Sequence, residues 1–346
     1  MNKNIDILKT IIAVLLLCIF PSGKINGKGI EKNPNTPTQN KLSAERPANT
    51  LRVLYWNIQN GMWSDQGNHY DNFVAWVKSY SPDVCIWCEA QTIYQTGTAD
   101  PCKAEDRYLV KNWGELAARY GHSYWTISGH RDNYPQVITS KYPIEKIVEI
   151  VGAEPDSIIS HGAGQYQIEF CGEKINFVSL HTWPHAYAYR AKDRAASKAE
   201  KGGDKYRRME ITYICSHTIN ASPHTDREYW FMCGDFNARS PKDNEVYKFE
   251  TGDSRFFVHD YILQQTPYLD IIKERYPDQF ISSTGGKSRI DFVYCTRPLL
   301  EKVIQAEILR DDYTGNIVRD PQKLSNFYHP SDHRPILVDF DMGKKK

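Results

Sequence analysis

The sequence predicts an α+β protein built on mixed β-sheets, and three observations carry that expectation. Apolar runs such as Leu51–Ile58, Val84–Cys88 and Tyr229–Cys233 have the length and composition of strands buried on both faces. Amphipathic helical stretches separate some of these runs and tight polar turns join others, so a uniform strand–helix barrel is excluded. No internal repeat is present.

The elements follow in chain order. Leu51–Ile58 is the first strand of the folded body, and Gln59-Asn60-Gly61 turns after it. Phe73, Trp76 and Val77 have helical spacing, and Ser81-Pro82-Asp83 ends that helix before the strand Val84–Cys88, which delivers Glu89. Trp113, Leu116, Ala117 and Tyr120 mark a second amphipathic helix. Ser123–Ser128 and Gln136–Ser140 are strands, with Lys141-Tyr142-Pro143 as an edge or turn. Gln165–Phe170 alternates, Gly172-Glu173-Lys174 turns and Ile175–Leu180 returns, a hairpin that ends at His181.

From His185 to Glu210 the chain carries eight Lys/Arg against four Asp/Glu, with Tyr187, Tyr189 and Tyr206 among them. This basic segment reads as two helices broken at Gly202-Gly203, with Asp204 as the second N-cap. It is either a solvated face or a substrate-facing insertion. Thr266–Tyr276 reads as a short helix, Ser288–Tyr294 as a buried strand and Ile336–Phe340 as the last strand.

The totals bound the function. A chain of 346 residues is ample for a sizeable core, and 43 basic against 42 acidic residues create no global field for nucleic acid or membrane. A local basic groove stays open. Lys3 and Lys9 precede the apolar run Ile11–Phe20, and Pro21-Ser22-Gly23 follows, the layout of a signal peptide over residues 1–23. Residues 24–50, rich in Asn, Lys, Pro and Thr, read as a flexible linker, leaving a domain over 51–341. The chain is therefore expected to be exported, to a periplasm, a cell surface or the medium. Leu15-Leu16-Leu17 before Cys18 lacks the small residue of a lipid-anchor site. Of eight cysteines, seven lie beyond the leader, an odd number that does not describe a disulfide scaffold. Cys85 and Cys88 sit three apart in a strand, on opposite faces, and read as buried free thiols rather than a redox or zinc pair.

Asp235 and Asn237, two apart after the central strand, would share a side if the backbone stayed extended. Alone they read as a turn. Six strand ends, however, present Asn57, Glu89, His181, Asp235 with Asn237, Asp291, and Asp332 with His333. Carboxylates and imidazoles are costly to bury without partners, so six such ends argue for a site.

In this order the pieces Trp56-Asn57-Ile58-Gln59, Glu89, Ser179-Leu180-His181, Gly234-Asp235-Phe236-Asn237-Ala238, Ser288-Arg289-Ile290-Asp291-Phe292 and Ser331-Asp332-His333 resemble the endonuclease/exonuclease/phosphatase superfamily over about Leu51 to Phe340. The resemblance implies a four-layer α/β sandwich, two mixed sheets face to face with helices outside and the active site at one edge. It also implies a metal-dependent phosphoesterase. Glu89 is the natural Mg²⁺ ligand, with Asn57 and Asp332 supporting the metal directly or through water, and Mn²⁺ or Ca²⁺ as alternatives. His333 is general base or phosphate-binding imidazole, and Asp291 orients it. Asp235 positions water, Asn237 donates to a non-bridging oxygen, and His181 does likewise or protonates the leaving group.

Two departures stand out. Tyr134-Pro135-Gln136 occupies the place where deoxyribonuclease-like members carry the glutamate that pairs with the first histidine. Gln59 replaces the acid of abasic-site enzymes. The expected function is hydrolysis of a phosphodiester in nucleic acid or in a lipid or sugar headgroup. The alternatives are a phosphomonoesterase on an inositol or sugar phosphate and a non-catalytic phosphate-ligand binding protein. A monomer with no obligate protein partner is expected.

Overall fold

The computed structural model describes residues 46–92, 103, 112–129, 133–319 and 328–343. The leader and most of the linker expected at 1–50 fall outside them, as do Cys18 and Cys102.

The chain begins with β1 (Thr50–Asn57), followed by the turn α1 (Gln59–Met62), α2 (Asp71–Tyr80) and β2 (Val84–Cys88). Next come α3 (Trp113–Arg119), β3 (Tyr124–Ser128), β4 (Gln136–Ser140), β5 (Glu145–Ile150) and the hairpin β6 (Ala163–Phe170) with β7 (Glu173–His181). The basic segment forms α4 (Arg194–Ala199) and α5 (Gly202–His217) before β8 (Tyr229–Asp235). Then follow α6 (Asn244–Tyr247), α7 (Phe257–Gln265), β9 (Leu269–Asp270), α8 (Ile271–Arg275) and β10 (Asp291–Cys295). The chain closes with α9 (Arg297–Leu300), β11 (Val303–Ile308), a small ribbon of β12 (Val318–Arg319) and β13 (Tyr328–His329), and β14 (Ile336–Asp341).

Two six-stranded mixed sheets result, ordered β11-β14-β1-β2-β4-β3 and β5-β6-β7-β8-β10-β9. Among the described strands, only β1–β2 and β7–β8 are parallel pairs. Val53, Tyr55 and Ile86 from the first sheet pack between the sheets against Tyr166, Phe177, Phe231 and Val293 from the second. On the outer face of the first sheet, Trp56 and Trp87 meet Phe73, Trp76 and Trp113 of α2 and α3. On the outer face of the second, Val178, Trp230 and Met232 meet Ile211, Ile214 and Ile262 of α5 and α7. Each central strand is therefore buried on both faces, and the layers run helix, sheet, sheet, helix as expected. Cys88 lies in the core between the sheets and Cys85 in the outer one, opposite faces as expected, and both are free.

The structure differs from the sequence expectations at several elements. The strands β5 and β11 and the helix α7 were not anticipated: β5 is an edge strand exposed along much of its length, so its pattern resembles a loop. The stretch Thr266–Tyr276 is a two-residue strand followed by a shorter helix, capped by Asp270 accepting from the Lys273 N–H at 3.3 Å. Gly202 and Gly203 begin α5 rather than break before it, and Asp204 lies inside the first turn. A Cβ on Gly203 would sit 2.1 Å from the His185 carbonyl oxygen, so this glycine lets the backbone at His185-Ala186 pack against α5.

Candidate active site

Strand register assembles the site. His181 pairs across β7–β8 with Asp235, and Asp235 pairs across β8–β10 with Asp291, placing three polar strand ends in a row on the second sheet. The first sheet brings Asn57 at the end of β1, beside Cys88 of β2, and the chain continues one residue into Glu89. Glu89 (φ 54°) and Asn237 (φ 47°) hold left-handed backbone conformations that non-glycine residues rarely adopt, which turns their side chains out of the strand direction. The condition for Asp235 and Asn237 to share a side, a backbone that stays extended, is therefore not met.

Hydrogen bonds lock the set. The Asn57 amide donates to Glu89 Oε1 at 3.2 Å and to Asp235 Oδ2 at 3.1 Å, while its oxygen accepts from the Gln59 N–H at 3.0 Å. Glu89 Oε2 accepts the Asn60 N–H at 3.0 Å. Asp235 Oδ1 accepts the Asn237 N–H at 2.9 Å, and the Asn237 amide donates to the Thr182 carbonyl at 3.0 Å. His333 Nδ1 lies 2.7 Å from Asp291 Oδ2, and its Nε2 lies 3.7 Å from both Asp235 Oδ2 and Asp332 Oδ1. Asp291 is itself held by Tyr55 Oη at 2.9 Å and Ser283 Oγ at 2.8 Å. The loop carrying His333 is fastened from β1, where the Trp56 indole donates to the His333 carbonyl at 3.0 Å.

Electrostatics assign different states to the two histidines. Burial alone would lower the pKa of His333, yet the carboxylates of Asp291, Asp332 and Asp235 outweigh it and hold the pKa well above the ordinary value. His181 is pushed well down, by burial first and then by His161 and His333. Asp235 is raised, chiefly by burial, with Asp291 adding to the rise and His333 opposing it. Glu89 is raised by burial and by the neighbouring charge of Asp332. Two carboxylates that repel in this way are a fitting place for a cation. A second group, Asp235, Asp291 and His333, keeps its ligand atoms within 4.8 Å of one another. Asp291, however, is already engaged by Tyr55, Ser283 and His333. Carboxylate oxygens of the kind a hard cation takes are also offered by Glu89 and Asp332.

The structure brings together every residue anticipated for the site and adds several. Tyr55 shares a face of β1 with Asn57, so alternation could have flagged it. Ser283 and His161 lie in loops without periodic pattern and carried no such signal. His161 stacks on His181 with ring centroids 4.4 Å apart, and Tyr134 meets His181 edge-on at 6.4 Å. Gln136 directs its amide to the Tyr134 carbonyl at 3.4 Å. In place of the glutamate missing from the sequence pattern, His181 has the His161 and Tyr134 rings and the Asp235 carboxylate, 3.8 Å from its Nε2.

The chain matches the Endonuclease/Exonuclease/phosphatase family over residues 54–333. It belongs to that family. No curated protein matches the chain in sequence. Among solved structures, an AP endonuclease from Archaeoglobus fulgidus is similar, at TM-score 0.52 and 16% identity over 84% of this chain and 100% of that one. A D. rerio TDP2 complexed with single strand DNA product is similar at TM-score 0.50 and 14% identity, covering 84% of this chain and 98% of that one. A humanized D. rerio TDP2 is similar at the same TM-score of 0.50 and 14% identity, over 85% and 99%. Membership makes the family chain a hydrolase of phosphoester bonds, on the fold those proteins share.

Proposed function

We propose that this protein is an exported, Mg²⁺-dependent phosphodiesterase that attacks its substrate in line with water, and that it works as a monomer. The observation that carries the reading is the pairing of an Asp291-held, charged His333 with Asp235 on one side of the site and the Glu89/Asp332 carboxylates on the other. Glu89 and Asp332 would hold the cation, with Asn57 keeping Glu89 in place. Bound there, Mg²⁺ would neutralise phosphate oxygen charge.

The protein groups divide the remaining work. Asp235, with its raised pKa, accepts a proton from the attacking water. His333, charged and fixed by Asp291, donates from Nε2 to a phosphate oxygen. Asn237 has one amide hydrogen beyond its bond to Thr182 for a non-bridging oxygen. His181, held neutral, donates its N–H to the same centre or to the leaving oxygen. Export rests on the charged start and apolar run of the first 23 residues, and fractionation with N-terminal sequencing of the mature chain tests it.

The deciding assay compares bis-p-nitrophenyl phosphate, p-nitrophenyl phosphate and plasmid DNA with Mg²⁺, Mn²⁺ and Ca²⁺. Faster Mg²⁺-dependent cleavage of the diesters is expected. A preference for the monoester would replace the reading with a phosphomonoesterase, and no metal-dependent release from any ester would leave a binding protein.

A further inference from the structure

Rings and guanidinium groups line both exits from the site. After β7 the chain leaves His181 through Trp183, whose ring lies 5.9 Å from His161 and 4.7 Å from His185. His185 is exposed and stacks on Tyr187 at 5.0 Å with planes 5° apart, and the Arg194 guanidinium lies 4.8 Å over the Tyr187 ring. A continuous ladder of rings therefore runs outward from His181 to an exposed end.

After β8 the chain leaves Asp235 and builds a second group. Tyr247 and Phe249 stack at 5.4 Å and 11°, and Arg255 lies 3.3 Å over Phe249. Two bonds to Asp253, at 2.8 and 2.6 Å, fix that guanidinium, whose side chain is 48% exposed. An arginine at the surface ordinarily moves freely; this one is a fixed plane with an open face. The two groups are tied together, since Ser254 Oγ donates to Asp204 at 2.6 Å and Asp204 pairs with Arg207, which donates to the carbonyls of Trp183 and His185 at 2.8 and 3.0 Å.

We infer that this rim binds a single-stranded nucleic acid, with unstacked bases lying on His185 and on the Arg255 plane while neighbouring phosphates meet the basic segment. The inference rests on the phosphodiesterase reading and narrows its substrate class. Flat faces of rings and guanidinium groups recognise bases freed from a duplex, which keeps its own bases stacked inside. A lipid or sugar headgroup offers no aromatic plane to stack on them. The segment His185–Glu210, with eight Lys/Arg against four Asp/Glu, supplies positive charge here although the whole chain is nearly balanced.

Fluorescence anisotropy of the full chain in EDTA tests the inference, with an oligothymidine of about 12 nucleotides, a blunt duplex of equal length and phosphatidylglycerol vesicles as probes. The double variant His185→Ala/Arg255→Ala is expected to weaken single-strand binding about tenfold or more, the size of a lost stacking contact. His185→Phe, which keeps a ring, retains binding within about twofold, and Arg255→Lys, which keeps charge without the plane, does not. With Mg²⁺, the double variant lowers the kcat/KM ratio of oligonucleotide to bis-p-nitrophenyl phosphate by about fivefold or more. Unchanged binding in the double variant, equal affinity for the duplex, or vesicle binding that needs the same residues would overturn the inference. A wild-type chain that binds the single strand and hydrolyses no ester would overturn only the phosphodiesterase reading.

Discussion

Asp291 decides what His333 can do. Its carboxylate sits 2.7 Å from Nδ1 and is itself aimed by Tyr55 and Ser283, so the imidazole is fixed in position and charge. Asp291→Asn keeps the shape and removes the charge, and should lower kcat on bis-p-nitrophenyl phosphate by about 100-fold or more, within the range of a lost charged donor to the transition state. Glu89→Ala, Asp235→Ala and His333→Ala should each nearly abolish turnover with the circular dichroism spectrum unchanged; wild-type rates in any one would remove that residue from the site. Glu210 of α5 is another kind of residue. It is fully buried, accepts from the Ser160 N–H at 2.8 Å, the Ser160 hydroxyl at 2.5 Å and the Trp183 N–H at 2.8 Å, and so links the His161 loop to the exit from β7. Burial raises its pKa to about 7 despite those donors. Between its ordinary value and about 7 the native state keeps a proton that the unfolded chain has released, so stability falls as pH rises through that window and levels off above it. The contribution is on the order of 3 kcal/mol. Urea unfolding from pH 4 to 8 should show the decline, and Glu210→Gln should flatten it; an unchanged slope would refute the assignment. Of the site, the strand-end residues were legible because a titratable group ending an apolar run is out of place. Ser283 and His161 were not, since only the folded chain brings their loops to the strand ends.

Elements differ in how openly the sequence displays them. β2, with five apolar residues ahead of Glu89, and α2, with Phe73, Trp76 and Val77 on one face, were plain because burial dictates their pattern. β5 was hidden because an edge strand with a solvated face needs few apolar residues. The loops after β8 depend on charge rather than periodicity. Arg289, 1% exposed, pairs with Asp243 at 2.7 Å and with Asp270 at 2.8 Å, which joins α6, α8 and the start of β10. Replacing it with Met leaves the buried Asp270 carboxylate without its cation and Asp243 with Lys273 alone at 3.1 Å, and should cost about 3–5 kcal/mol in urea unfolding at pH 7. A loss below about 1 kcal/mol would show that the cluster relaxes around the change. The segment from Ala186 through α4 to the first residues of α5 is expected to act on selection more than on chemistry: removing residues 186–203 should reduce kcat/KM for single-stranded oligonucleotide more than for bis-p-nitrophenyl phosphate. Equal losses on both would make the segment a structural support.

At the scale of the molecule, the site belongs to neither sheet alone. Tyr55 and Asn57 reach from the first sheet to Asp291 and Asp235 on the second, so the catalytic geometry measures how the two sheets lie on each other. Cation removal should show this directly. EDTA is expected to abolish turnover, excess Mg²⁺ to restore it, and Mg²⁺ to raise the melting temperature of the wild type but not of Glu89→Ala, because binding to the native state alone stabilises it. The same shift in both proteins would place the cation elsewhere. The thiols give the chain a clock of its own. Among the described cysteines, Cys85, Cys88, Cys215, Cys233 and Cys295 are buried and unpaired, spread through the inner and outer cores, and Cys171 is exposed. A thiol reagent such as 5,5′-dithiobis(2-nitrobenzoic acid) would consume Cys171 at once and reach the other five only when their layers open. Their order of labelling, read by peptide mass, would record which sheet comes apart first.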